Sequence, residues 1–141
     1  MTIDFVVDAN VLMSILISGK ASYRPVLTFY HFILPDFALV EVDKYKNVLI
    51  SKTKMQENEF MQWTHFVFSQ FTVLPQYVLS QESLKKSEKL LKKIDVKDIA
   101  YVALAMQLNL PLLTRDKPLY LGLQKQKFRK VMLFDKFLET I

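Results

Sequence analysis

The chain has 141 residues, of which 51% are hydrophobic and 23% charged, a composition typical of a globular protein and not of a disordered one. It has no apolar run of the roughly 18 residues that a membrane span needs, no N-terminal pattern of a signal peptide, and no cysteine for disulfides or thiolate metal sites. We therefore expect a single domain over residues 1–141 and a cytoplasmic location.

The predicted elements alternate between strands and helices along the chain. The predicted strands are Ile3–Val7, His31–Pro35, Thr72–Pro75, Pro111–Thr114 and Lys130–Phe134. The predicted helices follow Asp8, begin near Ser22, and cover Asp36–Ile50, Asn58–Phe71, Ser80–Lys93, Asp95–Asn109 and Asp135–Ile141. This alternation predicts an α/β fold, a three-layer α/β/α sandwich with a mainly parallel central sheet.

The net charge of +5 is concentrated in two segments. The first is a run of lysines that includes Lys85, Lys86 and Lys89, and the second extends from Arg115 and Lys117 to residue 130. The simpler interpretation is that both are solvated faces. The alternative is a surface for a polyanion, because clustered cations release counterions from a phosphate backbone.

Two aspartates follow predicted strands. Asp8 comes directly after the first strand, and Asp116 lies two residues beyond Thr114. Ligands of open α/β sheets lie beyond the carboxyl ends of the strands. Each aspartate also has a structural interpretation, since Asp8 could cap the next helix and Asp116 could belong to a turn before Pro118.

Glu41 falls within an apolar stripe when residues 37–50 are placed on a helical wheel. Phe37, Tyr45, Val48 and Leu49 form that stripe, which would direct the Glu41 side chain inward. A buried charge is costly unless it is paired or metal-bound. The alternative to a metal ligand is therefore a buried ion pair with lysine or arginine.

The apolar helix after residue 94 opens with two aspartates. If Asp95 is its N-cap, Asp98 occupies the third helical position, where a carboxylate is favoured by the helix dipole. Capping explains one of the two acids and does not require both. Asp98 shares the face of Val102 and Ala105, which should point to the core.

These four acids could converge on one pocket, where they would repel one another unless a divalent cation were present. Oxygen ligands favour Mg²⁺ or Mn²⁺. The two histidines, His31 and His65, lie outside these segments and are expected to be structural.

Four motifs in this order resemble those of the PIN-domain family of metal-dependent ribonucleases. They are "FVVDANVL", the acid in "FALVEVDKY", "DVKDIAYVALA" and "LPLLTRD". The resemblance implies that Asp8, Glu41, Asp98 and Asp116 are the catalytic metal ligands. Asn10 and Thr114 would be supporting polar groups, and Asp95 leaves the division of roles in the third motif open. Residues 52–93 match no motif.

The resemblance implies an endoribonuclease that hydrolyses RNA phosphodiester bonds with one or two Mg²⁺ or Mn²⁺ ions. Lys85, Lys86, Lys89, Arg115 and Lys117 would contact the RNA. It further implies the toxin of a toxin–antitoxin pair, with an antitoxin protein and a homodimer as expected partners. The alternatives are a non-catalytic RNA-binding module and a non-toxin RNA-processing nuclease. A Mg²⁺-dependent phosphatase is a further alternative, but it would need a glycine-rich phosphate loop, and the chain has two glycines.

Overall fold

The structure, a computed structural model, describes residues 3–92 and 98–141. Within these ranges five strands form one sheet in the order β3-β2-β1-β4-β5, and every neighbouring pair is parallel. The strands are β1 Ile3–Val7, β2 Tyr30–Pro35, β3 Phe71–Leu74, β4 Leu112–Thr114 and β5 Val131–Leu133. All five strands were predicted, with small differences at their ends.

Helices connect the strands and cover the sheet, which confirms the predicted three-layer α/β/α sandwich. In the described part of the chain the helices are α1 Ala9–Ser18, α2 Tyr23–Phe29, α3 Phe37–Lys44, α4 Lys46–Lys52, α5 Glu57–Gln70, α6 Gln81–Leu91, α7 Ile99–Leu108, α8 Lys117–Lys125 and α9 Phe134–Glu139. A short 3₁₀ turn, Gln76–Val78, follows β3. No helix among the described residues has the length and apolarity of a membrane span.

The central strand β1 is buried on both faces, as expected for a parallel sheet with helices on either side. Val6 and Val7, which point to opposite faces, have no exposed surface. Phe5 is in register with Phe32 of β2, and Phe137 of α9 packs edge-on against Phe5 with ring centroids 5.0 Å apart. This aromatic cluster fixes α9 against the sheet.

The predicted helix Asp36–Ile50 is two helices, because the backbone leaves helical geometry at Tyr45 (φ −100°, ψ 13°). The stripe drawn on a continuous wheel was therefore wrong: Phe37, Tyr45 and Val48 are exposed, and only Leu49 is buried. Asp36 precedes α3 as predicted, but its carboxylate accepts a hydrogen bond from the Gln76 backbone N–H (3.1 Å) and does not cap the helix through its side chain.

Two other differences concern helix positions. Helix α8 was not predicted, although Asp116 caps it and Pro118 lies in its first turn. Helix α7 begins at Ile99, so Asp98 immediately precedes it and is not in its third position, as the sequence had suggested. Asp95 lies outside the described residues.

Helix α1 ends at Gly19, whose φ of 58° is left-handed. A Cβ atom at this position would lie 2.4 Å from the Met55 sulfur, so glycine satisfies both the backbone and the packing. The turn at Gly19 begins the connection from α1 to α2, and that connection carries Lys20.

Candidate active site

The candidate site lies at the carboxyl end of the sheet, between β1 and β4. The chain runs from β1 outward to β2 and β3, then crosses to β4 on the other side of β1. This reversal is the topological switch point at which open α/β sheets bind ligands. The Asp8 backbone N–H donates to the Leu113 carbonyl (2.9 Å), which extends the β1–β4 pairing to Asp8.

Asp8 is a buried carboxylate, 4% exposed, and it caps α1. Its Oδ1 accepts from the Ala9 backbone N–H (2.8 Å), and its Oδ2 accepts from the Thr114 hydroxyl (2.8 Å). The capping interpretation of Asp8 is thus correct, and it is compatible with a position in the candidate site. Both oxygens are held in a fixed orientation at the end of β1.

Thr114 connects the polar groups at the ends of β1 and β4. Besides donating to Asp8, its Oγ1 accepts from the Asp116 backbone N–H (3.0 Å) and from Asn10 Nδ2 (3.4 Å). A hydroxyl has one proton and two lone pairs, so its hydrogen-bonding capacity is fully used. Asn10 Oδ1 accepts from the Arg115 backbone N–H (3.0 Å), which closes the network.

Asp116 lies at the mouth of the site and is half-buried. Its Oδ1 accepts from the Leu119 backbone N–H (3.0 Å), so it is the N-cap of α8. The sequence favoured a turn residue or a ligand at this position. The structure adds the capping role, which orients the carboxylate through one of its oxygens.

Glu41 is half-buried on α3, and its Oε1 accepts a short hydrogen bond from the Tyr101 hydroxyl of α7. The sequence analysis missed Tyr101, which is 1% exposed and therefore needs a partner for its hydroxyl. A tyrosine inside an otherwise apolar helix was the available signal. Its partner is the acid of the second motif and not a lysine or arginine.

Asp98 is 5% exposed and lies at the start of α7, one helical turn before the Tyr101–Glu41 contact. Its predicted burial is therefore correct, although its position in the helix is not. The charges of Asp98, Asp8 and Glu41 all raise the pKa of Tyr101, after the larger effect of burial and the hydrogen bond to Glu41. Three of the four acids therefore act on the pKa of one buried phenol, and Glu41 is the one that contacts it.

Burial raises the pKa of Asp8 from 3.8 to about 6. The hydrogen bonds from Thr114 and Ala9 oppose this rise, and the charges of Glu41 and Asp116 add to it. A carboxylate that is both buried and repelled by two other acids favours a nearby cation. The charges of Glu41 and Asp116 therefore act on Asp8, and those of Asp8, Glu41 and Asp98 act on Tyr101.

The donor set fits a hard divalent cation, because every candidate ligand is an oxygen. In residues 3–92 and 98–141, however, no three His, Cys, Asp or Glu side chains form a group close enough to hold a metal ion. Mg²⁺ commonly binds through one or two carboxylates and completes its shell with water and substrate phosphate. The residues therefore fit an ion held partly by water.

The basic residues predicted to contact RNA lie on α6 and at the start of α8, and they are all exposed. Lys85, Lys86 and Lys89 are on α6, which is anchored to the start of α7 by a hydrogen bond from Ser87 Oγ to the Ile99 carbonyl (2.9 Å). Lys86 is also paired with Glu82 (3.0 Å).

The second basic group lies around the start of α8. Lys117 is the first residue of this helix, and the Arg115 guanidinium donates to Ser14 Oγ of α1. Ser14 is a further contact that the sequence did not indicate. Arg115 and Lys117 are thus the chain neighbours of Asp116, and the lysines of α6 lie on a helix that is linked to the start of α7.

The two histidines lie away from the acids. His31 hydrogen-bonds Asp4 of β1 (3.2 Å) and Thr72 of β3, so it links three strands. His65 is exposed on α5. His31 thus has the structural role expected for it, and among the described residues neither histidine hydrogen-bonds the acids of the candidate site.

The chain resembles a known sequence family and a solved structure over most of its length. The family model described as PIN domain matches residues 6–134. PIN domains are generally nucleases and typically use divalent metals. None of the curated proteins matches the chain. The crystal structure of PAE2754 from Pyrobaculum aerophilum is similar in fold, with a TM-score of 0.68 at 15% identity over 98% of this chain and 88% of that one. Because the family model spans most of the sequence, the chain belongs to the PIN-domain family.

Proposed function

We propose that this protein is a metal-dependent endoribonuclease that hydrolyses phosphodiester bonds in RNA. The observation that carries the proposal is the buried Asp8 carboxylate, oriented by Thr114 and repelled by Glu41 and Asp116 at the switch point of the sheet. Burying a carboxylate near two other carboxylates destabilises the folded protein unless a bound cation compensates their negative charges. Membership of the PIN-domain family supports a nuclease.

Asp8, Glu41, Asp98 and Asp116 would hold one or two Mg²⁺ or Mn²⁺ ions, in part through bound water, because no three potential ligands among the described residues form a closed group. The ion, when bound, would supply an activated water and neutralise charge that develops on the phosphate. The chain's own residues would orient this site. Thr114 and Asn10 would fix Asp8 and the loop after β4, as supporting hydrogen bonds do around metal ligands.

The basic residues of α6 and of the start of α8 would hold the RNA backbone without reading its sequence. Lys85, Lys86 and Lys89 would contact it on the side of α6, and Arg115 and Lys117 on the side of α8. Because phosphate contacts release counterions, binding should weaken steeply as the salt concentration rises.

We further propose one functional domain over residues 1–141, acting as the toxin of a toxin–antitoxin pair. This role rests on the family resemblance alone and implies an antitoxin protein and a homodimer as partners. A non-toxin RNA-processing nuclease has the same chemistry. Induced expression with and without the neighbouring gene distinguishes them, because a toxin arrests growth and its antitoxin restores it.

A non-catalytic RNA-binding module is the second candidate. It is favoured by one observation: among the described residues no three potential ligands form a closed metal-binding group. Such a module would bind RNA equally well with and without a divalent ion. Its acids would then serve as helix caps and as the partner of Tyr101.

Incubating the purified protein with a circular single-stranded RNA tests the proposal, because only an endonuclease can open a circle. We expect linear products with Mn²⁺ or Mg²⁺ and intact circles with EDTA. Circles that remain intact with both ions, in a sample that binds the same RNA, would favour the non-catalytic module. Cleavage that is equal in EDTA would point to a contaminating or metal-independent ribonuclease.

A further inference from the structure

A second feature, a cleft of about 460 Å³, lies beside the acidic site between α1, the end of β4 and α9. This volume lies in the range of small-molecule sites, roughly 300–1,000 Å³. The polar residues and the tyrosine that line it are Ser14, Ser18, Lys20, Tyr23, Arg115 and Asp135, and the rest of its lining is apolar. Only Arg115 among them belongs to a sequence motif of the nuclease.

Arg115 joins the cleft to the acidic site. Its position in the chain is between Thr114 and Asp116, and its backbone N–H donates to Asn10 (3.0 Å). Its guanidinium donates to Ser14 Oγ, which lies in the cleft wall. A ligand contacting this side chain would therefore lie next to the network that orients Asp8.

The charges of the cleft are arranged around Tyr23. Burial raises the pKa of its phenol, the nearby Arg115 charge lowers it, and the Asp135 charge raises it. Both charged groups line the same cleft as the ring, and Lys20 adds a second exposed cation. The Tyr23 ring stacks on Phe134, with centroids 6.2 Å apart and planes 24° apart.

This combination matches the chemistry of one ribonucleotide. Two cations suit a phosphate, which Arg can contact in bidentate fashion. A carboxylate repels phosphate but accepts hydrogen bonds from sugar hydroxyls, and the 2′-hydroxyl is the group that distinguishes RNA from DNA. The Tyr23 ring beside these charges provides a surface on which a base can stack.

We propose that the cleft binds the ribonucleotide next to the cleaved phosphodiester. Lys20 and Arg115 contact its phosphate, and Asp135 accepts a hydrogen bond from its ribose 2′-hydroxyl. This inference rests on the proposed function, since it assumes that RNA is the substrate. It makes Lys20 and Asp135 specificity residues that the family motifs do not contain.

Binding can be measured without cleavage, so that the two proposals can fail separately. The probe is a short fluorescent single-stranded RNA, titrated in EDTA by anisotropy, alongside the DNA of identical sequence. The variants are Lys20→Gln, Arg115→Gln and Asp135→Asn, with melting curves to verify folding. Lys52→Gln is the matched control, because it removes one exposed charge at the end of α4, outside the cleft.

We expect Lys20→Gln and Arg115→Gln each to weaken RNA binding about threefold to fivefold, the effect of one exposed charge contact. Each should also reduce the slope of log affinity against log salt by about 0.7. Asp135→Asn should lower the ratio of RNA affinity to DNA affinity, and it should raise the affinity for DNA. Lys52→Gln should change none of these values by a comparable amount.

Variants of Lys20 and Arg115 that bind like Lys52→Gln would overturn the inference, even if the protein cleaves RNA. Absence of RNA binding by the wild-type protein in EDTA at low salt would overturn it as well. If the cleft variants lose affinity as expected but no metal supports cleavage, the cleft assignment stands and the proposed nuclease activity fails.

Discussion

The Thr114 hydroxyl donates a 2.8 Å hydrogen bond to Asp8 across 106 positions of the sequence, and Thr114 has no exposed surface. This contact joins the carboxyl ends of β1 and β4 at the switch point of the sheet. It also holds the most buried acid of the candidate site in one orientation, because the other Asp8 oxygen is fixed by the Ala9 backbone N–H.

Replacing Thr114 with valine should destabilise the protein and release Asp8. Valine keeps the shape but leaves the buried Asp8 oxygen and the Asp116 N–H without this partner, at a cost of about 1–3 kcal/mol. Thr114→Ser is the matched control, since it keeps the hydroxyl. Urea unfolding curves measure both. Equal free energies of unfolding for the two variants would mean that the hydroxyl contributes nothing.

The metal-free protein should lose stability as pH rises from about 4 to about 6. The pKa of Asp8 is about 6 in the folded protein and ordinarily 3.8, so the native state retains the proton more strongly. The contribution is complete below pH 3.8 and is lost through pH 6, with a total of about 3 kcal/mol.

The comparison that isolates this effect is Asp8→Asn. Its free energy of unfolding, measured in EDTA across the same pH range, should lack this decline. Because other groups titrate as well, the quantity to examine is the difference between the two proteins. A difference that does not vary between pH 4 and pH 7 would contradict the raised pKa of Asp8.

The parts of the site next to strand ends could be predicted from the sequence. Asp8 and Asp116 follow short apolar segments, and parallel strands necessarily bring their carboxyl ends to one edge. The local sequence pattern and the sheet topology therefore both place these two aspartates at the carboxyl edge of the sheet. Thr114 and Asn10 were predicted as supporting groups from the family resemblance, and the structure shows their hydrogen bonds to each other and to Asp8 and Arg115.

The prediction for Glu41 relied on an element that does not exist. A wheel assumes a continuous helix, whereas the backbone leaves helical geometry at Tyr45, and every residue of the predicted stripe except Leu49 is exposed. Glu41 still reaches the other acids, but through Tyr101, a tertiary contact 60 residues away that no local pattern encodes. Helix α8 was missed because Pro118 and Gly122 obscure its periodicity.

Tyr101→Phe should leave the fold intact and weaken the site. The ring stays in the core, but Glu41 loses the hydroxyl that positions it. We expect a stability change of about 1 kcal/mol together with weaker binding of Mn²⁺, measured by the rise in melting temperature with added metal. Tyr120→Phe on α8 is a matched control, as its hydroxyl has no described contact with the acids. If Tyr101→Phe and Tyr120→Phe gave the same Mn²⁺ titration, Tyr101 would have no role in metal binding.

The lysines of α6 should contribute unequally to RNA binding. Lys86 is paired with Glu82, whereas Lys85 and Lys89 line a cleft of about 340 Å³ and form no salt bridge with an acid among the described residues. Lys85→Gln and Lys89→Gln should each lower the salt slope by about 0.7, and Lys86→Gln by less. Anisotropy titrations over a range of salt concentrations provide the slopes. If none of the three variants changed the salt dependence of RNA binding, the lysines of α6 would be a solvated face and not an RNA contact.

The central claim is that RNA cleavage requires the Asp8 carboxylate together with a divalent ion. The most direct measurement is the rate of cleavage of a circular RNA under single-turnover conditions in Mn²⁺, for the wild-type protein, Asp8→Asn and Asp43→Asn. Asp43 is an exposed acid on α3 and controls for the loss of one negative charge. We predict that Asp8→Asn slows cleavage at least about tenfold, equivalent to about 1.4 kcal/mol of barrier, while Asp43→Asn cleaves like the wild-type protein. A folded Asp8→Asn protein that cleaves as fast as Asp43→Asn would contradict the account.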